Sequence, residues 1–228
     1  MIKMIVFDMA GTTIDEDNIV YKTVQKAVNE AGIPVSLAEV LEAGAGKEKL
    51  QAIKSVLKIK NISDDQLAER IFEAFRNELD IAYKTNEIAE QKNASGLFKE
   101  LKNKNIKVVL NTGYNRETAE ALIKKTGWQE GIDFDLLVTA SDVPNARPYP
   151  DMILYAMHAL GINDAGEVVK VGDSVVDIEE GQNAGCQYSI GITTGAQTYE
   201  QLKKANPSFI INDLIEVLSI IDFPGNFK

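Results

Sequence analysis

The 228-residue sequence predicts an α/β fold: a doubly wound parallel sheet with an all-helical segment inserted after its first strand. Three observations lead there. Six short β-rich runs recur, several of them apolar without alternation, which is the pattern of strands covered on both faces. From residue 94 onward these runs alternate with helical stretches, as in βαβ units. Between about residues 16 and 93 there is no strand pattern. Residues 1–15 and 94–228 are therefore expected to form the core, and residues 16–93 a helical cap.

The elements follow in order. IKMIVFD (2–8) is the first strand and ends in Asp8. Val20, Val24, Val28 and Ala31 recur at helical spacing before a Gly-Ile-Pro break at 32–34. Ser36 with Glu39 forms a capping-box signature, and Leu50, Ile53 and Leu57 make a second apolar stripe. Ser63 with Gln66 is expected to cap a longer helix carrying Leu67, Ile71, Phe75, Leu79 and Ala82. Strands are then predicted at IKVVLNT (106–112), FDLLVTA (134–140), EVVKVGD (167–173), YSIGIT (188–193) and SFIIN (208–212). FPGNFK, at 223–228, reads as a loose end.

Composition narrows the function. A net charge of −10 disfavours nucleic acid and anionic membranes as partners. The single cysteine, Cys186, excludes an internal disulfide and fits a reducing compartment. No apolar run approaches the roughly 20 residues of a membrane span. Ile2–Phe7 is too short for a leader and runs straight into Asp8. A cytoplasmic location is expected.

In open parallel sheets, ligands bind beyond the carboxyl ends of the strands. Four of those ends carry polar residues: Asp8, Thr112 in LNTGYNRE, Arg147 in SDVPNARPYP, and Asp173 with Asp177 in VGDSVVDIEEG. Any one alone reads as a cap, a turn or a surface charge. Together they predict one crevice with the parts for phosphoryl transfer. Clustered carboxylates suit Mg²⁺, which prefers oxygen ligands and supplies positive charge that an acidic protein lacks. A hydroxyl and a cation can hold phosphoryl oxygens, and the backbone N–H groups of Gly11–Thr13 can add donors. Asp8 can attack phosphorus to form an acyl-phosphate that water then cleaves.

The motifs Asp8–Thr12, Thr112, Arg147, and Gly172-Asp173 with Asp177 stand in the order found in the haloacid dehalogenase superfamily of aspartate-nucleophile hydrolases, which the sequence resembles over nearly its whole length. The resemblance implies a Rossmann-like core, a helical cap and Asp8 as nucleophile. It implies Mg²⁺ bound by the Asp8 carboxylate, the Ala10 carbonyl and Asp173, with Asp177 nearby or acting through water. Gly11, Thr12, Gly113 and Tyr114 would contact the substrate.

Ala10 departs from the superfamily's phosphatases, which usually carry an aspartate there to protonate the leaving group. Arg147 stands where their cation is usually lysine. FDMAGTT, NTGYNRE and DVPNARPYP resemble the branch typified by phosphonoacetaldehyde hydrolase. In that branch a cap lysine forms a Schiff base with an aldehyde, so the carbon departs as an enamine and needs no acid at position 10. Lys47, with Gly44 three residues before it, is the matching lysine. The branch's Met and His neighbours are replaced by Ala43 and Leu50, and the only histidine, His158, lies in a core helix. The expected substrate is thus a small phosphonate, phosphonoacetaldehyde or an analogue, or a phosphate ester. The alternatives are a phosphomonoesterase of phosphoglycolate-phosphatase type and a catalytically weak metabolite-binding protein. A homodimer paired through the caps would be usual for the branch.

Overall fold

Six parallel strands form the central sheet of the computed structural model, which describes residues 1–45, 47–85 and 88–222. They are β1 (Met4–Asp8), β4 (Lys107–Thr112), β5 (Leu136–Thr139), β6 (Val168–Gly172), β7 (Tyr188–Ile192) and β8 (Phe209–Ile211). Each lies inside a run that the sequence predicts. The order is β5-β4-β1-β6-β7-β8. β1 is therefore central, and the chain winds outward from it first on one side and then on the other. The crevice at that reversal lies at the carboxyl ends of β1, β4 and β6. Every residue of β1 is buried, as continuous apolarity requires.

Helices cover both faces. Phe98 of α5 (Ala94–Asn103) packs between Phe7 of β1 and Trp128, with ring centroids 5.5 and 5.1 Å apart. On the other face, Met152, Ile153 and Ala156 of α7 (Asp151–Leu160) meet Met4, Val6 and Val109. α6 (Arg116–Thr126) follows β4, and α8 (Val175–Ala184) follows β6. FPGNFK lies outside the described residues.

The chain between β1 and α5 carries four helices: α1 (Ile19–Glu30), α2 (Leu37–Gly44), α3 (Lys49–Ile59) and α4 (Asp65–Thr85). Val20, Val24 and Val28 are fully buried, whereas Ala31 falls just past α1 and is exposed, because the Gly32 turn ends the helix first. Ser36 and Glu39 form the expected capping box. The next cap lies one residue later than expected: Asp64 Oδ1, not Ser63, accepts from the Leu67 N–H. A carboxylate is the stronger acceptor at a helix N-terminus. Ile71, Phe75 and Leu79 of α4 are buried, with Leu67 and Ala82 partly so.

One element has no counterpart in the sequence prediction. β2 (Ile14–Asp15) pairs antiparallel with β3 (Ala89–Glu90), joining the way into the helical segment to the way out. The Gln91 N–H donating to the Thr13 carbonyl at 2.8 Å extends the pairing. Two residues per strand are too few to leave a periodic pattern.

Candidate active site

After Asp8 the chain turns tightly. The Gly11 N–H donates to the Ile14 carbonyl, and the Ile14 N–H donates back to the Met9 carbonyl, both at 2.8 Å. Gly11 has φ +80°, and a Cβ there would lie 2.5 Å from Asp173 Oδ2. Only glycine fits a left-handed turn pressed against that carboxylate. The 193–197 loop closes over the same group. A Cβ at Gly195 would lie 2.0 Å from Asp173 Oδ2, and the Ala196 N–H donates to that oxygen at 2.5 Å. Thr194 Oγ1 ties this loop to the Gly11 carbonyl at 2.7 Å.

The predicted strand-end residues converge. Asp8 and Asp173 are about 5% exposed, Thr112 2% and Asp177 0%. Arg147 Nη2 meets Asp8 Oδ1 at 2.8 Å, and its Nη1 meets Asp177 Oδ1 at 2.5 Å. Ser174 Oγ donates to the other Asp177 oxygen at 2.5 Å. Thr112 Oγ1 accepts from the Tyr114 N–H at 3.2 Å, which leaves its own proton to donate elsewhere. The Thr12 hydroxyl is buried with no hydrogen-bond partner among the described residues. Gly113 and Tyr114 line a cleft of about 820 Å³ with Lys49, Tyr83 and Leu79. Ala10 carries no functional side chain, but its carbonyl leaves the same loop.

Beneath these residues lies a charged layer that sequence reasoning missed. Lys170, fully buried on β6, bonds Asn111 Oδ1 at 2.5 Å and meets Asp177 and Glu180 at 3.0 Å each. Asn111 Nδ2 donates to both Glu180 oxygens at 2.9 Å. Signals for both were present. Lys170 interrupts an apolar strand run, and Glu180 stands three residues after Asp177, on the same helix face.

The electrostatics separate the three aspartates. Burial works against Asp177, but Arg147 and Lys170 hold it below the ordinary carboxylate range. Burial raises Asp8, with Arg147 pulling it back. Burial pushes Asp173 well up, and Asp8 and Asp177 add to it. Arg147 is held more firmly protonated by Asp177, Asp8 and Glu180, against the effect of burial. Oxygens of Asp8, Asp173 and Asp177 all lie within 4.8 Å of one another. Three hard oxygen donors with a carboxyl so poorly compensated fit a divalent cation, which would supply the missing charge.

The insert contributes two lysines with different surroundings. Lys47 lies just before α3, where its Nζ donates to Ser55 Oγ at 3.0 Å, and burial lowers its pKa. Lys49 reaches into the cleft. It is 7% exposed, and its Nζ sits 4.8 Å from the Tyr21 ring centroid and 5.1 Å from that of Tyr114. Burial lowers its pKa to about 8, with Arg147 acting in the same direction. The Gly44 spacing singles out Lys47 in the sequence, but both lysines flank Glu48, and only the start of α3 decides which faces inward. His158 is exposed on α7, away from this chemistry.

The haloacid dehalogenase-like hydrolase family model matches residues 2–185. This chain belongs to that family. It is 29% identical over 233 residues to a phosphonoacetaldehyde hydrolase of Bacillus cereus strain B4264, covering 96% of this chain and 86% of the relative. Its identity to the phosphonoacetaldehyde hydrolase of Hahella chejuensis is 32% over 209 residues, covering 85% of this chain and 68% of the relative. The crystal structure of a phosphonoacetaldehyde hydrolase-like protein from Oleispira antarctica superposes with a TM-score of 0.82 at 25% identity, covering 97% and 91% of the two chains. The chain is thus a phosphonatase-like hydrolase of the superfamily. No described helix is long and apolar enough to cross a membrane.

Proposed function

We propose that this hydrolase acts on a small phosphonate bearing a carbonyl group, phosphonoacetaldehyde or a close analogue, with Mg²⁺ as cofactor. The observation that carries the reading is the buried, pKa-lowered amine of Lys49 within electrostatic reach of Asp8, together with the lack of an acid at Ala10. A C–P bond breaks readily only if the carbon's electron pair has somewhere to go. A neutral lysine amine can add to an aldehyde and expel water, leaving an imine as that electron sink. The Asp8 carboxylate then attacks phosphorus, the P–C bond breaks, and its electrons form an enamine. Protonation and hydrolysis of the enamine return the amine, and water cleaves the acyl-phosphate on Asp8.

Lys47 is the lysine at the branch's position and its amine donates to Ser55; the Lys49 amine donates to the Lys47 carbonyl at 3.0 Å, but it alone is buried against the Tyr21 and Tyr114 rings within electrostatic reach of Asp8. Lys49 is our choice for the substrate-facing amine. Asp8, the Ala10 carbonyl and Asp173 would hold the metal, with Asp177 behind them on Arg147 and Lys170. Bound there, Mg²⁺ would neutralise the carboxylates against an incoming anion. Thr12, Thr112 and Arg147 would take the phosphoryl oxygens, with Gly113 and Tyr114 lining the substrate's path; the N–H groups from Gly11 to Thr13, expected from the sequence to help, are instead engaged within the turn by the Ile14 and Met9 carbonyls. Residues 16–93 would act as the cap that closes over it.

The test is phosphate release from phosphonoacetaldehyde and from a panel of phosphate monoesters, with and without a chelator. Chelator-sensitive release with the phosphonate preferred supports the reading. A strong preference for an ester favours a phosphomonoesterase, and insensitivity to chelation contradicts the metal assignment.

A further inference from the structure

A buried acid that no motif points to stands behind the wall of the cleft, within electrostatic reach of Asp8, Lys49, Tyr83 and Tyr114. Glu16 follows the β2 segment and leads into α1. It is 3% exposed, and the one hydrogen bond to its carboxyl among the described residues comes from the Val20 N–H, to Oε2 at 3.2 Å. Its other oxygen has no partner there. We propose that Glu16 is the proton donor to the leaving atom, filling the role that Ala10 cannot.

The geometry behind this is a shared pocket. The 9–14 turn folds the chain back, so that Glu16 returns towards the end of β1, within electrostatic reach of Asp8. The surrounding elements present titratable groups to it: Asp8 from β1, Asp15 from β2, Lys49 from α3, Tyr83 from α4 and Tyr114 from the turn after β4. Tyr21 and Tyr114 enclose the Lys49 amine, and Tyr83 and Tyr114 line the cleft itself. This is an enclosed acid within electrostatic reach of Asp8, unlike a surface helix cap. Burial raises the carboxyl to about 8, so it holds a proton at neutral pH.

The step balances. As an Asp8 oxygen bonds to phosphorus, the bond to the leaving group breaks, and its electron pair takes the proton from Glu16. The resulting Glu16 carboxylate accepts a proton from the water that cleaves the acyl-phosphate, and so returns to its starting state. The proposal rests on the hydrolase reading but does not depend on imine chemistry.

Esters therefore test it cleanly. Ethyl phosphate has a poor leaving group that needs a proton, whereas p-nitrophenyl phosphate has a good one that does not. For both substrates kcat/KM reports the first step alone. Glu16→Gln keeps the size and the acceptor for the Val20 N–H but has no acidic proton. It should lower kcat/KM for ethyl phosphate by roughly 10²–10⁴-fold and leave p-nitrophenyl phosphate near the parent value. In the parent, without any substitution, the ethyl-to-nitrophenyl ratio should fall as pH rises through about 8. Equal losses on both substrates, or none, with a flat parent ratio, would overturn the proposal. A parent inactive on both esters and on phosphonoacetaldehyde would instead remove the hydrolase reading itself.

Discussion

Asp8 is set apart by what surrounds it. Arg147 neutralises one of its oxygens, and neighbouring acids hold the position for a cation. Asp8→Asn should leave the fold intact and lower turnover by at least about 10³-fold, since an amide is a poor nucleophile. Circular dichroism and steady-state rates check the two halves. The remaining aspartates should divide their roles. Asp177 pairs with two buried cations, so Asp177→Ala removes a carboxylate from each, leaving Arg147 to Asp8 and Lys170 to Glu180, and should cost up to about 3–5 kcal/mol, read as the loss in denaturant midpoint. Asp173 has no cation within ion-pair distance among the described residues and holds only the Ala196 N–H. Asp173→Ala should therefore spare stability and raise the Mg²⁺ concentration needed for half-maximal activity, by more than any active Asp177 variant does. A stable Asp177→Ala protein would contradict the buried pairing.

The elements explain how much of this was legible. Each strand of the central sheet announced itself by apolarity, and Asp8, Thr112 and Asp173 by standing where that apolarity stops. Lys170 and Glu180 were legible in principle, as a lysine inside a buried strand and an acid three residues past Asp177. The β2–β3 pair was not, because two-residue strands have no period. Glu16 and Lys49 were hidden for another reason: an acid in Asp-Glu-Asp and a lysine in Lys-Glu-Lys look like solvated charge until tertiary packing buries one of them. Glu16 leaves a thermodynamic trace at the start of α1. Its pKa is raised from 4.5 to about 8 on folding, so between those values the folded state holds a proton that the unfolded state has lost. Stability must then fall as pH rises across that window. Denaturation midpoints should decline between pH 4.5 and 8 in the parent and decline less steeply in Glu16→Gln. Parallel slopes would contradict the burial of an acid there.

At the scale of the whole molecule, the functional groups are covered. Asp8, Arg147 and Lys49 are each 5–7% exposed, and in the proposed function substrate enters as the helical segment opens over the core. The β2–β3 pair spans both connections and is the short, weakly held place where such opening would pivot. Small-angle scattering should show compaction when Mg²⁺ and a phosphate analogue are added. Identical profiles would argue that the cleft admits substrate without opening.

Whether the closed cleft brings an amine to an aldehyde next to Asp8 is decided by trapping. The protein is incubated with phosphonoacetaldehyde and borohydride, digested, and read by peptide mass spectrometry, with Lys49→Arg run in parallel. The account predicts a reduced adduct on Lys49, and a Lys49→Arg protein that keeps its charge but loses C–P cleavage. An adduct on Lys47 would move the amine back to the position of the sequence resemblance. No adduct on either lysine, with Lys49→Arg still releasing phosphate from the phosphonate, would contradict the imine mechanism outright.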